Sequence, residues 1–104
     1  MALELGRYTT QGRLRELLLD ALEHGGHVYV GSTEDPRARR AEHAGRFAGF
    51  MLVARTDNMM HAEDRLLGIV RDYPRGRRRQ VRNEHMQSGA AEEGGYVYAI
   101  FIAH

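Results

Sequence analysis

Residues 28–43 read Val-Tyr-Val-Gly-Ser-Thr-Glu-Asp-Pro-Arg-Ala-Arg-Arg-Ala-Glu-His and contain the pattern that decides the fold. The segment begins within a short apolar strand, predicted from His27 to Gly31. Side chains alternate across a strand, so Tyr29 lies on the opposite side from the two valines beside it. A turn from Ser32 to Pro36 follows. The strand therefore places Tyr29 close to the start of the next element.

That next element is predicted to be a helix. Asp35 can cap its first turn, and Pro36 occupies the first helical position, where a missing N–H costs nothing. The helix is expected to end near Ala44. Arg39 and His43 are four residues apart, so they lie one turn above each other on one side of the helix. The sequence thus predicts a tyrosine strand followed by a helix that carries an arginine and a histidine.

The rest of the chain adds two helices and two strands to this centre. Apolar residues at the spacing of an amphipathic helix occur twice, and two runs of apolar, β-branched and aromatic residues are typical of strands. The predicted elements are a helix from Thr10 to His24, a strand from Phe50 to Ala54, a helix from Asp57 or Asn58 to Tyr73, and a strand from Tyr96 to Ala103. We predict a single α/β domain over residues 1–104, with a small three-stranded antiparallel or mixed sheet flanked by helices.

Composition limits the classes of function. With 104 residues the chain has room for one domain and one modest core. It contains no Cys, which excludes disulfides, thiol catalysis and thiolate metal sites. We find no secretory signal and no apolar run long enough to cross a membrane, so a soluble intracellular protein without membrane contact is expected.

The basic residues are unusual because all fifteen are arginine, although the net charge is only +1. The arginine fork matches phosphate oxygens, which suits contact with nucleic acid, but GC-rich coding produces the same bias. Six arginines and one aspartate lie between residues 71 and 82. The segment after Pro74 has no clear periodicity apart from a possible short helix at residues 80–87. Long loops of this kind are usually functional or mobile.

The central pattern resembles the GIY-YIG nuclease family. Tyr29-Val30-Gly31-Ser32-Thr33 is similar to the second half of the family signature, and Arg39 and His43 fall where the family carries its helix arginine and histidine. The segment 62–67, Ala-Glu-Asp-Arg-Leu-Leu, is similar to the family's helix with the metal-binding glutamate. Asn83 matches its late asparagine. The resemblance is clear over residues 28–67 and implies an endonuclease.

The first half of the signature is displaced. The family places its Gly-Ile-Tyr strand just before the Tyr-Ile-Gly strand, as a hairpin, whereas here the nearest upstream match is Gly6-Arg7-Tyr8, with a helix in between. The segment 96–100, Tyr-Val-Tyr-Ala-Ile, fits better but lies at the other end of the chain. The sequence favours Tyr98 over Tyr8 as the second tyrosine. A circular permutation follows, in which the C-terminal strand lies between the Tyr29 strand and the Phe50 strand.

The resemblance implies a catalytic set of Tyr29, Arg39, His43, Glu63 and Tyr98. Glu63 would hold one Mg²⁺ or Mn²⁺ ion, a hard cation that suits a carboxylate, water and a substrate phosphate. Arg39 would bind a nonbridging phosphate oxygen. Tyr29, with Tyr98 beside it, and His43 compete for the role of general base, because histidine has the better intrinsic pKa.

Substrate binding is predicted for the basic segment. The proposed contacts are Arg75, Arg77, Arg78, Arg79, Arg82 and Asn83. They would bind the phosphate backbone of the nucleic acid and would not recognise its base sequence. DNA is favoured over RNA as the partner. A homodimer or a protein partner is also possible, since a chain of one domain carries no separate DNA-reading domain.

Other interpretations of the same residues stay open. The two tyrosines could be ordinary strand aromatics, Arg39 and His43 a solvated helix surface, Glu63 half of an ion pair with an arginine, and the basic run a solvated loop. The principal alternative function is a catalytically inactive GIY-YIG-like module that binds nucleic acid. A small scaffold that dimerises through its first helix is a third possibility.

Overall fold

The computed structural model of the protein describes residues 3–73 and 92–103. Within these ranges the elements are β1 (Leu3–Thr9), α1 (Gln11–Glu23), β2 (His27–Thr33), α2 (Pro36–His43), β3 (Gly49–Thr56), α3 (Met59–Asp72) and β4 (Gly95–Ile102). The strands form one mixed sheet in the order β1-β3-β4-β2. β4 is antiparallel to both β2 and β3, whereas β1 is parallel to β3. The predicted α/β class and the central position of the C-terminal strand are both confirmed.

The prediction of three strands is wrong, because β1 adds a fourth at the edge next to β3. Its apolar alternation stops after Leu3 and Leu5, and the pairing register shifts between Leu5 and Tyr8. A pattern of two leucines is too short to indicate a strand by periodicity. β1 is held instead by its parallel pairing with β3, a tertiary contact that a local pattern does not reveal.

β2 is also longer than predicted. Ser32 and Thr33 were expected in the turn, but they continue the strand and pair with Val97 and Tyr96 of β4. The turn is correspondingly shorter and begins at Glu34. This extension matters for the site, since it points the side chain of Ser32 toward α3.

The predicted helix boundaries hold because each helix has the expected cap. Thr10, Asp35 and Asn58 each accept a hydrogen bond from the backbone N–H three residues later, at 3.0–3.1 Å. Such caps satisfy N–H groups that have no partner within the helix. Gly25 adopts a φ of 81° directly after α1, the conformation that ends helices and that glycine accepts without strain.

The sheet has two different faces. The aliphatic face packs against α1 and α3 and buries Leu14, Leu18, Leu22, Val28, Val30, Ala54, Ala62, Leu66, Leu67, Val70, Val97 and Ala99. The tyrosine face is partly covered by α2 and buries Leu3, Met51, Val53, Tyr98 and Ile100. Tyr29, Phe47 and Tyr96 pack around this second cluster. Four of the five tyrosines, all except Tyr73, lie on the tyrosine face.

Two predictions concern residues beyond the described ranges. The possible helix at 80–87 and the proposed substrate contacts Arg75, Arg77, Arg78, Arg79, Arg82 and Asn83 all lie outside the described residues. Among the helices that are described, none is long and apolar enough to cross a membrane.

Candidate active site

Three of the predicted catalytic residues form one cluster on the tyrosine face. The ring of Tyr29, on β2, lies 5.0 Å from the ring of His43 between centroids, and His43 lies 5.8 Å from Tyr98 on β4. Phe47, which follows α2, closes the cluster at 5.2 Å from Tyr29 and 5.8 Å from His43. The fold thus brings together side chains from β2, the end of α2 and β4.

The glycine of the central pattern is explained by this cluster. Gly31 is paired with Tyr98 across β2 and β4. A Cβ atom at Gly31 would overlap the hydroxyl of Tyr98 and lie 2.6 Å from its Cζ. No other residue leaves room for the phenol ring. Gly31 and Tyr98 therefore form one local unit, in which the glycine creates the space that the tyrosine fills.

Tyr98 and His43 form a buried hydrogen-bonded pair. The Tyr98 hydroxyl lies 2.8 Å from Nε2 of His43, and which of the two donates depends on the histidine tautomer. Tyr98 is 1% exposed and His43 6% exposed. His43 is therefore part of the core of this face and does not belong to a solvated helix surface. Each side chain of this buried pair requires the other, because a polar group without a hydrogen-bond partner in the interior is costly.

Burial keeps both members of the pair neutral. Burial raises the pKa of Tyr98 well above its usual value, and the nearby Tyr29, Glu63 and Glu42 add to this rise, whereas Arg39 opposes it. Burial also lowers the pKa of His43, and the positive charges of Arg39 and Arg46 lower it further against the opposing effect of Glu42. At neutral pH the pair is therefore an uncharged phenol bonded to an uncharged imidazole.

Glu63 approaches the site from the other side of the sheet. Its carboxylate is 9% exposed, and Oε1 accepts a hydrogen bond of 2.8 Å from the Ser32 hydroxyl. No ion pair to Glu63 occurs among the residues that the structure describes. Its negative charge adds a smaller part to the rise in the pKa of Tyr98, which burial mainly causes. Ser32 on the edge strand links α3 to the tyrosine cluster.

Arg39 lies on α2, where its guanidinium forms an exposed ion pair with Glu42. Its Nε is 3.4 Å from the Oε2 of Glu42, and the two side chains are 39% and 64% exposed. An exposed pair of this type contributes little stability, so the guanidinium can exchange Glu42 for another anion at small cost. Its charge nevertheless acts on both Tyr98 and His43.

Glu63 is the predicted metal ligand, and its surroundings limit the kind of ion that it could hold. Among the described residues no group of three His, Cys, Asp or Glu side chains converges on one point. Mg²⁺ commonly keeps several waters and needs only one or two protein carboxylates together with substrate phosphates. A single carboxylate with one oxygen fixed by Ser32 and the other without a hydrogen-bond partner in the described residues suits that mode of binding.

The two candidates for the second tyrosine are clearly separated. Tyr98 lies next to β2 and touches His43, whereas Tyr8 lies on β1 at the opposite edge of the sheet and is 51% exposed. Sequence reasoning assigned no role to Ser32 or Phe47. Ser32 directly follows Gly31, and its orientation toward α3 could have been inferred only from the continued strand. Phe47 lies just beyond α2, and nothing in the sequence except its hydrophobicity indicates that it packs in this cluster.

Comparison of the chain with protein-family models, with curated proteins and with solved structures finds no match.

Proposed function

We propose that this protein is a metal-dependent endonuclease of GIY-YIG type that hydrolyses phosphodiester bonds in DNA with low intrinsic sequence specificity. The observation that carries the proposal is the hydrogen bond between Tyr98 and His43, residues that are far apart in the chain. It joins the displaced half of the signature to the intact half. β4 is antiparallel to β2, as the missing strand of the family hairpin would be.

Arg39 and Glu63 would bind the scissile phosphate between them. Arg39 can donate two N–H groups to a nonbridging oxygen after leaving its exposed partner Glu42. Glu63 would hold Mg²⁺ or Mn²⁺ through the carboxylate oxygen that Ser32 does not occupy. The bound ion supplies Lewis-acid stabilisation of the charge that develops on the phosphate oxygens.

Tyr29 is the member of the aromatic cluster best able to meet the attacking water. It is partly exposed, whereas Tyr98 and His43 are buried and occupied by each other. A new bond forms between the water oxygen and phosphorus as the bond to the departing sugar oxygen breaks. The proton of the water would be taken up by a Tyr29 phenolate, or by the neutral imidazole of His43 if the His43–Tyr98 pair opens, and the departing sugar oxygen would be protonated by solvent water. The His43–Tyr98 pair would hold the Tyr29 ring in position through their contacts.

The test is incubation of the purified protein with supercoiled plasmid and Mg²⁺ or Mn²⁺, followed by gel electrophoresis. We expect nicking that disappears with EDTA and falls about a thousandfold in Glu63→Ala, since loss of metal stabilisation costs several kcal/mol. Glu63→Ala should still shift the plasmid in a binding gel. Tyr29→Phe should lose cutting without losing metal binding.

A binding module without turnover is the alternative that the same experiment separates. If neither the plasmid nor a single-stranded circular DNA is cut with any metal or at any pH, but both are retarded by the protein, and Glu63→Ala changes neither result, the enzymatic proposal is wrong. If Arg39→Gln then abolishes the retardation, the site binds phosphate without cleaving it.

A further inference from the structure

A second aromatic group lies on the tyrosine face beside the cluster described above. Tyr8 of β1 and Tyr96 of β4 meet edge to face, with ring centroids 5.4 Å apart and planes at 75°. Tyr8 is 51% exposed and Tyr96 is partly exposed. Tyrosine usually buries much of its ring, so an exposed pair of tyrosines on a sheet surface offers aromatic area to a ligand.

The sheet register fixes this pair relative to the candidate active site. Tyr96 and Tyr98 are two residues apart on β4 and point to the same face, which separates their Cα atoms by about 7 Å. Tyr8 is paired with Val53 of β3, and Val53 is also the partner of Tyr98. Tyr8 therefore lies in the same cross-strand row as Tyr98, with β3 between them, and Tyr96 lies two residues from Tyr98 along β4.

A positive charge borders the pair. Arg55 of β3 is the direct partner of Tyr96 across the two central strands, and its side chain is exposed. No acidic side chain in the described parts of the chain forms an ion pair with Arg55. An arginine beside exposed aromatic rings is the combination that binds unpaired nucleotides, because the rings stack on the base and the guanidinium contacts the phosphate.

We propose that Tyr8, Tyr96 and Arg55 form a binding site for an unpaired nucleobase of the strand whose phosphodiester occupies the Tyr29–Glu63 site. The inference rests on the proposed nuclease function and specifies its substrate. Bases inside an uninterrupted duplex have both faces covered by their neighbours and cannot stack on tyrosine. The preferred substrate is therefore single-stranded DNA or the unpaired arm of a branched molecule.

The molecule provides a matched control on its other face. Phe50 is the second exposed aromatic side chain among the described residues, with 41% exposure. It is paired with Phe101, which packs against the aliphatic face. Removal of the Phe50 ring deletes a similar exposed area without touching the tyrosine face.

The experiment measures binding in EDTA, so that it does not depend on cutting. Fluorescence anisotropy gives the affinity for a labelled single-stranded oligonucleotide and for the same sequence as a duplex. We expect Tyr8→Ala to weaken single-strand binding about 5- to 150-fold, the range for loss of one stacked base. Tyr8→Phe should bind like the unmodified protein, as should Phe50→Ala. A fluorescent adenine analogue in the strand should be quenched by the protein and less so by Tyr8→Ala.

Three results would overturn the proposal. The first is failure of the unmodified protein to bind single strands, the second is unchanged single-strand binding by Tyr8→Ala, and the third is an equal loss of duplex binding in Tyr8→Ala. Sedimentation distinguishes a fourth: conversion of a dimer to a monomer by Tyr8→Ala, with DNA affinity unchanged, would assign the tyrosine pair to self-association. The plasmid assay with Glu63→Ala is independent of all four, so failure of the base-binding site leaves the nuclease proposal standing.

Discussion

The aliphatic face of the sheet and the tyrosine face differ in both covering and chemistry. α1 and α3, of 13 and 14 residues, cover the aliphatic face with leucine, valine and alanine. The tyrosine face has α2, with only 8 residues, and leaves Tyr8 exposed. Its core contains a hydrogen-bonded phenol and imidazole, and the net contribution of such a hydrogen bond to stability is modest. The buried cluster of the aliphatic face is entirely apolar, whereas the core of the tyrosine face includes a hydrogen-bonded polar pair.

The edge strand β2 is where the two faces meet. Tyr29 and Gly31 belong to the tyrosine face, while Ser32 points to α3 and bonds to Glu63. Because side chains alternate across a strand, consecutive residues of one strand can reach both faces. A carboxylate on α3, which packs on the aliphatic face, can thereby act on a site on the tyrosine face. The comparison predicts that substitutions on the two faces will have different kinds of effect.

The largest effect on stability is expected from Leu18→Ala in α1. Leu18 is fully buried on the aliphatic face, and truncation of such a leucine costs about 2–5 kcal/mol because it loses packing and leaves a cavity. Urea denaturation followed by circular dichroism measures the change in unfolding free energy. The adjacent Leu19, which is 40% exposed, is the matched control, and Leu19→Ala should cost less than about 1 kcal/mol. Equal losses for the two variants would contradict the assigned face of α1.

A smaller effect on metal binding is expected from Ser32→Ala. The Ser32 hydroxyl fixes one oxygen of Glu63, and removal of such a supporting hydrogen bond typically weakens metal affinity about 10–100-fold. Titration with Mn²⁺ followed by electron paramagnetic resonance measures affinity without turnover. Ser32→Thr keeps a hydroxyl and should recover most of the affinity.

The same variants should also differ in the plasmid assay. Ser32→Ala should need more Mg²⁺ for half-maximal nicking and approach the original rate when Mg²⁺ is saturating. Unchanged Mn²⁺ affinity in Ser32→Ala, with unfolding free energy also unchanged, would show that Glu63 does not hold the metal through the geometry described.

Much of the aliphatic face could be predicted from the sequence, because periodicity and caps are local signals. Leu14, Leu18 and Leu22 recur every four residues, and Thr10 caps the helix that they define. β1 was not predicted because its pairing partner β3 lies about 45 residues further along the chain, and no local pattern indicates that pairing. The central position of β4 was predicted from its similarity to a displaced motif strand, not from its periodicity.

The site was predictable in part for a comparable reason. The positions of Tyr29, Arg39 and His43 follow from local spacing, and the structure adds that His43 is buried against Tyr98. The hydrogen bond from Ser32 to Glu63 joins residues 31 positions apart and depends on the length of β2. Likewise, the Tyr8–Tyr96 pair exists because β1 and β4 flank the same strand.

The pH dependence of stability tests the buried pair on the tyrosine face. The pKa of His43 is lowered from 6.5, so below that pH the unfolded chain binds the proton first and stability falls as pH decreases. The pKa of Tyr98 is raised from 10.0, so above that pH the unfolded chain loses the proton first and stability falls as pH increases. The pair is fully stabilising between these limits.

Tyr98→Phe isolates the alkaline limb of this dependence. The variant should be less stable by about 1–3 kcal/mol near neutral pH, because His43 loses its buried partner. Above pH 10 the difference in unfolding free energy between Tyr98→Phe and the original protein should shrink by up to about 1.4 kcal/mol per pH unit. Only the original protein loses stability there, because its folded state keeps Tyr98 protonated while its unfolded state does not. Urea titrations from neutral pH to above pH 10 measure this difference, and subtraction cancels the tyrosines that both chains share. A difference that stays constant above pH 10 would mean that Tyr98 ionises freely in the folded protein, and the tyrosine face would then be open to solvent at its centre.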